Sequence, residues 1–314
     1  MMCSGSCRPD FQTRFRFAAA LALVLVVGAC GGDSKPPTQP PPSGNPPPNA
    51  DPPANTRPAV DSITVQGRRL RQPARFADVR ETVDVTAAVR DPETAIEELV
   101  YQWTATVGTF SGTGRVVTWT APDNISGPTT VTLTLKVVEN FGHPGQAKIF
   151  SHDTTSTVTV ALHDSAKEVG DISVRFLDRF SQPQSIKDWR DVLRDFKAAA
   201  CPDPGEYESE REDVERHYKN FHMNSYSLGS ASVTSNFGGS CAVPGRNPLR
   251  GDACALVSVR WDSTEVTATP PKTAVTTGVD YVSAAYSVTD GRWWLCGSQF
   301  ISNSTLGHRF YSGR

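Results

Sequence analysis

The side chains with the clearest capacity for covalent chemistry in this sequence are its cysteines, seven in 314 residues. One of them, Cys30, lies at an abrupt change of composition in the segment VVGACGGDSKPP. An uncharged run, residues 17–29, precedes it and follows three arginines, Arg8, Arg14 and Arg16. The run is shorter than the roughly 20 apolar residues that a membrane-spanning helix needs. A basic region, a short apolar core and small residues before the cysteine predict a secretory signal peptide over residues 1–29.

The residues just before Cys30, Val27-Gly28-Ala29, resemble the lipobox of bacterial lipoproteins. The resemblance implies that the peptide is cut before Cys30, that the Cys30 thiol receives a diacylglycerol, and that the new amino terminus is acylated. Two or three acyl chains anchor a protein stably to a lipid bilayer, at about 0.8 kcal/mol per buried CH₂, where one chain does not. The alternative is an ordinary secretory signal with an unmodified cysteine near its cleavage site.

Residues 30–58 are predicted to form a disordered tether. They consist largely of Pro, Gly, Asn, Ser and Thr, and such a segment buries too little apolar surface to offset the entropy of ordering. Proline tracts favour extended polyproline II at about 3.1 Å per residue, which suits a semi-rigid spacer. The expected location is the outer face of a bacterial cell membrane. Gly31, where inner-membrane lipoproteins of enterobacteria carry Asp, favours the outer membrane if the cell has two.

The cysteines of the mature chain are predicted to form disulfides. Cys3 and Cys7 leave with the signal peptide, and four thiols remain beyond Cys30: Cys201, Cys241, Cys254 and Cys296. An even number in an exported protein indicates two disulfides, although the sequence leaves all three connectivities open. We favour Cys241 with Cys254, and Cys201 with Cys296. No two of these cysteines have CxxC spacing, so the sequence does not favour zinc.

The charge and the short motifs exclude several function classes. The formal net charge is -2, and the mature chain has no long basic block, so we expect no nucleic-acid partner. There is no GxSxG motif and no glycine-rich phosphate loop. We therefore expect no nucleotide or other cofactor and no bound metal.

Residues 59–164 carry the alternation of apolar and polar side chains that is typical of strands. Alternating apolar positions occur in four stretches, at residues 83–89, 99–105, 131–137 and 158–162. With residues 62–66 and 115–120 added, about six or seven short strands fit an all-β sandwich of roughly 100 residues.

The stretch AAVRDPETAIEELVYQWTATVGTFSGTGRVVTWTAP, residues 87–122, resembles polycystic kidney disease-type and related immunoglobulin-like domains. The resemblance implies that Trp103 anchors the core, and a surface aromatic ring for sugar stacking is the alternative; Trp119 is not assigned a role. Asp91 and Glu93 offer oxygen ligands for calcium, but no spaced ligand set accompanies them, which favours a solvated turn.

From residue 165 to 314 the pattern changes to helices followed by strands. Helical spacing predicts one helix with an apolar stripe at residues 172–180, a second over residues 186–196 and a charged third over residues 206–221. Four strands follow, at residues 226–237, 254–261, 281–288 and 293–300. This order and the ending DGRWWLCGSQF resemble the nuclear transport factor 2-like superfamily, which implies an α+β cone with helices on a curved antiparallel sheet. A cystatin-like α+β domain is the alternative.

The predicted strands offer no catalytic group. Their faces carry neither carboxylate nor imidazole, and we place Asp280 at a strand start and Arg260 alone, which disfavours a carboxylate dyad. His217 and His222 are five residues apart, which does not match a metal pair and indicates surface or interface positions. His308 lies in the tail. No catalytic residue is therefore predicted. Three aromatic residues are candidates for a small pocket for an apolar or sugar ligand, with ordinary core as the alternative: Trp261, Tyr286 and Trp294.

These features lead us to expect a membrane-anchored envelope lipoprotein with a non-catalytic binding or adhesion role. Its partner is an unknown envelope protein or glycan. Two alternatives stay open. One is an envelope enzyme that uses Asp280 or His217 in a pocket of the cone, and the other is a carbohydrate-binding protein.

Overall fold

A computed structural model describes residues 51–185 and 188–303. These residues form twelve strands in three sheets, two α-helices and three short 3₁₀ helices, so the described chain is mostly β. The predicted signal peptide, Cys30, most of the tether and His308 lie outside the described residues.

The first eight strands form two four-stranded sheets. In chain order they are Ala59–Gln66 (β1), Phe76–Asp78 (β2), Thr82–Arg90 (β3), Val100–Ala105 (β4), Thr109–Ser111 (β5), Val116–Thr120 (β6), Thr129–Phe141 (β7) and Phe150–His163 (β8). One sheet has the order β1-β3-β6-β5 and the other β2-β8-β7-β4. The pairings are antiparallel except for β2 with β8, which is parallel.

The alternating apolar residues of both sheets share one core. Val83 and Val85 from one sheet and Leu133 from the other are completely buried in it. Of the two tryptophans, Trp119 is the fully buried one. Trp103, for which a core role was expected, is half-buried at the edge of this core, with its ring centroid 5.5 Å from that of Phe110.

Two α-helices and three 3₁₀ helices follow. The α-helices are Ser165–Phe180 (α1) and Pro204–Asn220 (α2), in agreement with the first and third predicted helices. The 3₁₀ helices between them are Pro183–Ser185, Trp189–Asp195 and Ala198–Ala200. The prediction of an α-helix over residues 186–196 is therefore wrong in its described part.

Contacts from Arg179 of α1 accompany the 3₁₀ geometry at the end of the second predicted helix. Its guanidinium donates to the carbonyl oxygen of Val192 at 3.3 Å, the acceptor that the N–H of Phe196 would use in an α-helix. That N–H instead donates to the Leu193 carbonyl oxygen at 2.9 Å, three residues back, which is the 3₁₀ pattern. Arg179 also pairs with the buried Asp195 at 2.7 Å.

The last four strands form the third sheet, which runs antiparallel in the order β12-β11-β10-β9. They are Phe221–Cys241 (β9), Leu249–Glu265 (β10), Lys272–Ser287 (β11) and Arg292–Ser302 (β12), each longer than predicted. Register shifts in the β9–β10 and β11–β12 pairings supply local bending, and the sheets include one curled into a half-barrel. A second core, between this sheet and the helices, contains Phe176, Val214 and Val257.

Gly278 allows β11 and β12 to approach closely near their ends. A Cβ atom at this position would lie 2.1 Å from the carbonyl oxygen of Ile301 and 2.7 Å from the ring of Phe300. Any side chain would therefore push β12 away. Asp280 lies two residues further along β11 and is paired with Phe300 of β12.

Side chains also join the first two sheets to the third. Phe76 of β2 belongs to the second core and contacts Phe237 of β9 edge to face, with 5.0 Å between ring centroids. Arg69 donates to Asp78 at 2.6 Å and to the carbonyl oxygen of Ser235 at 3.2 Å. The predicted boundary between residues 164 and 165 falls where β8 gives way to α1, and polar and aromatic contacts cross it.

Candidate functional site

A cleft of about 410 Å³ lies between the two α-helices, the loop that joins β9 to β10, and strands β11 and β12. Its lining residues come from all five of these elements and are Phe176, Leu177, Phe180, Asp203, Gly205, Glu206, Ser209, Glu210, Asp213, Arg246, Asn247, Pro248, Leu249, Asp280, Gly297, Ser298, Gln299 and Phe300. The volume is in the range of small-molecule binding sites.

Helix α2 brings Glu210 to the floor of the cleft. Asp203 caps its first turn by accepting from the Gly205 N–H at 2.9 Å, and Pro204 occupies the first helical position. Glu210 and Val214 are four residues apart, so both point from one face of the helix toward the sheet. The side chain of Glu210 is buried although glutamate is among the residues least often buried.

Asp280 approaches the same floor from β11. It is 3% exposed, and it faces inward because it lies two and four residues before the buried Val282 and Ala284, on the same face of the strand. Ser298 of β12 contacts both carboxyl groups: its backbone N–H donates to Glu210 Oε2 at 2.6 Å, and its side chain hydrogen-bonds Asp280. The Gln299 backbone N–H also donates to Asp280, yet Asp280 Oδ1 has no hydrogen-bond partner.

Burial controls the ionisation of this carboxyl pair. Removal from water raises the pKa of Asp280 to about 7, against the opposing effect of its hydrogen bonds to Gln299 and Ser298. Burial, assisted by repulsion from Asp280, raises the pKa of Glu210 to about 8. The pair therefore retains a proton near neutral pH, which is the behaviour of two carboxyl groups sharing a dry site.

The rest of the cleft is acidic at its rim and aromatic on its walls. Burial raises the pKa of Glu206, whose Oε1 accepts from the Arg250 N–H at 2.7 Å. Asp213, also at the rim, pairs with Arg216 of the same helix. Three phenylalanines are among the lining residues, each almost completely buried: Phe176, Phe180 and Phe300.

The three aromatic residues predicted to line a pocket lie in three different surroundings, none of them among the residues lining this cleft. Trp261 is buried in the second core, where its indole N–H donates to Ser181 Oγ at 2.7 Å. The Tyr286 hydroxyl lies 3.0 Å from His163 Nε2, at the junction with the first sheets. Trp294 is half-buried on the outer side of β12, with the Arg292 guanidinium 4.0 Å from its ring centroid.

The four C-terminal cysteines lie in the two pairs that the sequence analysis favoured. The sulfur atoms of Cys201 and Cys296 are 2.15 Å apart, and those of Cys241 and Cys254 are 1.95 Å apart. Cys296 directly precedes the segment of β12 that lines the cleft, and Cys201 lies just before the start of α2. The first pair thus ties two walls of the cleft together.

His217, expected at the surface or at an interface, is buried where α2 packs against the end of α1. It is 7% exposed and stacks on Phe180, with ring centroids 4.1 Å apart, and on Phe221. Burial lowers the pKa of His217 to about 3, so the ring is neutral. His222, on β9, is exposed as expected. The aromatic sandwich buries His217 because the end of α1 covers this face of α2.

The prediction that the inner strand faces carry no carboxylate is wrong. It placed Asp280 at a strand start, but β11 begins at Lys272, eight residues earlier. The alternation of Val282 and Ala284, continued backward through Gly278 and Thr276, would have identified Asp280 as inward-facing. Glu210 has a comparable signal, since it lies four residues before Val214 and seven before His217 on one helical stripe.

Three further findings concern membrane-spanning helices, metal ligands and similarity to known proteins. Neither α-helix among the described residues combines the length and the apolar character needed to cross a membrane. Within residues 51–185 and 188–303, no group of three or more His, Cys, Asp or Glu side chains is arranged to hold a metal ion. No protein-family model matches the chain, and neither a curated protein nor a solved structure matches it.

Proposed function

We propose that this chain is a lipid-anchored protein of the bacterial cell envelope that binds a small ligand, without chemistry of its own, in the cleft built around Glu210 and Asp280. The signal-like segment and the lipobox-like residues before Cys30 support the anchor. Two cysteine pairs at disulfide distance suit an oxidising compartment outside the cytosol.

The proposed domains are those suggested by the two resemblances. Residues 59–164 form an immunoglobulin-like sandwich of the polycystic kidney disease type, and two sheets packed on one core support this assignment. Residues 165–314 form a nuclear transport factor 2-like cone, supported by helices packed on an antiparallel sheet of four consecutive strands. Residues 30–58 tether both to the membrane.

One observation carries the binding role: Asp280 Oδ1 lies buried at a cleft wall without a hydrogen-bond partner. A buried acceptor without a partner costs about 1 to 3 kcal/mol of desolvation, so most such groups in folded proteins are satisfied. A ligand that donates a hydrogen bond at this position would recover that energy. The cleft is large enough to admit such a ligand.

The anchor predicts a specific labelling result. When the full-length chain is expressed in a bacterium fed an alkyne-tagged palmitate, we expect the mature protein to carry the label. Cys30→Ala is expected to abolish both label and signal-peptide cleavage, because the thiol is the acceptor for the diacylglycerol. In-gel fluorescence after click coupling and intact mass spectrometry measure the two effects.

Cys241→Ala is the matched control, since it also removes one thiol but leaves the processing segment intact. It should keep the label. A native chain that is cut near residue 30 but gains no hydrocarbon mass would contradict the anchor and favour the ordinary secretory signal.

The carboxyl pair also favours a second candidate, an envelope enzyme that transfers protons. A buried carboxyl group with a pKa near 7 and one free oxygen facing a cleft has the properties of a general base. In this candidate Asp280 abstracts a proton, and Glu210, which retains its own proton to a higher pH, acts as the acid.

A generic proton-abstraction reaction tests this candidate without knowledge of the substrate. In 5-nitrobenzisoxazole a base removes the C–H proton, the C–H electron pair forms the nitrile, and the N–O bond breaks to release a coloured phenolate. An enzyme with Asp280 as base should accelerate this reaction increasingly as the pH rises through about 7, and Asp280→Asn should lower the rate at least about tenfold.

Glu212→Gln, an exposed position on the same helix, should leave that rate unchanged. If wild type and Asp280→Asn give the same rate at every pH, the proton-transfer candidate is excluded for this cleft.

A further inference from the structure

We propose that the ligand of this cleft is an organic cation, an ammonium group attached to an apolar or aromatic body. This inference rests on the proposed binding role of the cleft and adds the chemical class of the ligand. It follows from the charges, the unpartnered acceptors and the aromatic walls that meet there.

The ionisable groups that line the cleft are mostly acidic. Helix α2 and its N-cap residue contribute four carboxyl groups and β11 contributes one: Asp203, Glu206, Glu210, Asp213 and Asp280. The β9–β10 loop contributes one guanidinium, that of Arg246, while the lining residues of α1 and β12 carry no charge. As the buried carboxyl groups ionise, the cleft therefore repels an anionic ligand and attracts a cation.

The unsatisfied groups on the cleft wall are acceptors. Asp280 Oδ1 and Gln299 Oε1 are both buried and have no hydrogen-bond partner. An ammonium group has up to three N–H donors and no acceptor, so it could donate a hydrogen bond to both oxygens. A carboxylate or phosphate ligand could donate a hydrogen bond to neither oxygen.

The carboxyl pair can also accommodate the incoming charge. In the empty cleft Glu210 and Asp280 retain a proton because they are buried and repel one another. An ammonium bound between them replaces that proton, so no uncompensated charge is buried. Binding should therefore release a proton below about pH 8 and should strengthen as the pH rises.

The aromatic walls account for the rest of the ligand. Phe176, Phe180 and Phe300 are among the residues that line the cleft, although each is at most 8% exposed, and a cation close to an aromatic ring is attracted to it. A hydrocarbon body on the amine would be buried against the same rings. A bare metal ion lacks such a body, and the described residues hold no group of three ligating side chains.

Three probes that share one benzyl or phenyl ring and differ in charge test the inference: benzylamine, benzyl alcohol and benzoate. Each is titrated by calorimetry into the full mature chain in detergent, at about pH 6 and about pH 8. We expect benzylamine to bind at least about tenfold more tightly than benzyl alcohol, with no binding of benzoate. The benzylamine affinity should rise between the two pH values.

Variants test whether Asp280 and Glu210 cause the preference for benzylamine over benzyl alcohol. Asp280→Asn and Glu210→Gln should each remove most of the preference for benzylamine over benzyl alcohol, because each removes one ionisable carboxyl group and nearly preserves the shape. Glu212→Gln should retain the full preference, since this side chain is exposed on α2 and does not line the cleft.

A failure of the proposed ligand class gives a different result from a failure of the proposed binding role. If benzyl alcohol binds as tightly as benzylamine, or if the preference survives in both cleft variants, the cationic class is overturned while the cleft remains a binding site. If no probe binds the wild-type chain, the cleft is not a small-ligand site, which overturns the proposed binding role and this inference together.

Discussion

Removing the Cys201–Cys296 pair is expected to lower the free energy of unfolding by about 4 to 5 kcal/mol. The two cysteines are 95 residues apart, and in the chain-entropy model a disulfide closing a loop of that length restricts the unfolded chain strongly. The double variant Cys201→Ala with Cys296→Ala, unfolded in urea and followed by tryptophan fluorescence, measures the loss. Replacing both cysteines avoids a free thiol that could pair elsewhere.

The second disulfide provides the comparison. Cys241 and Cys254 are only 13 residues apart, so the corresponding double variant should lose less, about 3 kcal/mol. The order of the two variants is the test, because both differ from wild type by the same two substitutions. An equal or reversed order would show that loop length does not govern these disulfides.

The longer disulfide should also affect the cleft. Cys201 lies just before the Asp203 cap of α2, and Cys296 directly precedes the β12 residues that contact Glu210 and Asp280. Without the bond, the start of α2 is held to β12 by noncovalent contacts alone. We therefore expect the Cys201→Ala, Cys296→Ala variant to bind benzylamine more weakly than the Cys241→Ala, Cys254→Ala variant.

The strands and the longer helices could be predicted from the sequence because their patterns are local. Alternation at residues 83–89 and 131–137 reports the burial of one strand face, and the stripe at residues 172–180 reports the buried face of α1. The helix expected at residues 186–196 has an equally regular pattern. The described part of this segment is 3₁₀ instead, and its Val192 carbonyl oxygen and Asp195 carboxylate accept from Arg179 of α1, contacts that a local pattern cannot report.

The candidate site was harder to predict because neither of its carboxyl groups is unusual by itself. Glu210 lies in a helix rich in charge, where an inward-facing glutamate resembles its exposed neighbours such as Glu212. The sequence analysis places Asp280 at a strand start, which hides its inward-facing position. The pairing of β11 with β10 from Lys272 onward shows that Asp280 lies within the strand.

The trio of aromatic residues shows a related difficulty. Trp261 is buried in the second core, the alternative to a pocket position. The local pattern could not indicate that Tyr286 contacts His163, because that contact joins β11 to the end of β8. Which buried face encloses a cleft depends on the elements packed over it, and these come from distant parts of the chain.

The carboxyl pair predicts that the protein becomes less stable as the pH rises. In the folded state burial holds the pKa of Asp280 at about 7 and that of Glu210 at about 8, whereas in the unfolded chain both groups ionise near pH 4. Above pH 4 the folded state therefore binds more protons, and its stability falls until both groups have ionised. Between about pH 6.5 and about pH 8.5 we expect a loss on the order of 2 to 3 kcal/mol.

In this pH range the change in stability comes from the two carboxyl groups and not from His217. Burial lowers the pKa of His217 to about 3, so this group contributes stability that is lost as the pH falls below its unfolded pKa of about 6.5. Above that pH the ring is largely neutral in both states and contributes little to the slope. Urea unfolding at the two ends of the window therefore reports mainly on the carboxyl groups.

The double variant Glu210→Gln with Asp280→Asn should have an almost flat profile across this window and should be more stable than wild type at about pH 8.5, because it has no carboxyl charge to bury. Glu212→Gln should follow the wild-type slope. A double variant that keeps the wild-type slope would show that other groups cause it.

The same pH profile connects stability with the proposed ligand. If an ammonium ion replaces a proton of the Glu210 and Asp280 pair, a fixed excess of benzylamine should stabilise the wild-type chain more at about pH 8.5 than at about pH 6.5, because the stabilisation by a ligand that binds only the folded state grows with the logarithm of its affinity. The pH slope of the folded protein should then become shallower in benzylamine and remain unchanged in benzyl alcohol. In the Glu210→Gln, Asp280→Asn variant neither probe should alter the slope, since there is no proton left to replace.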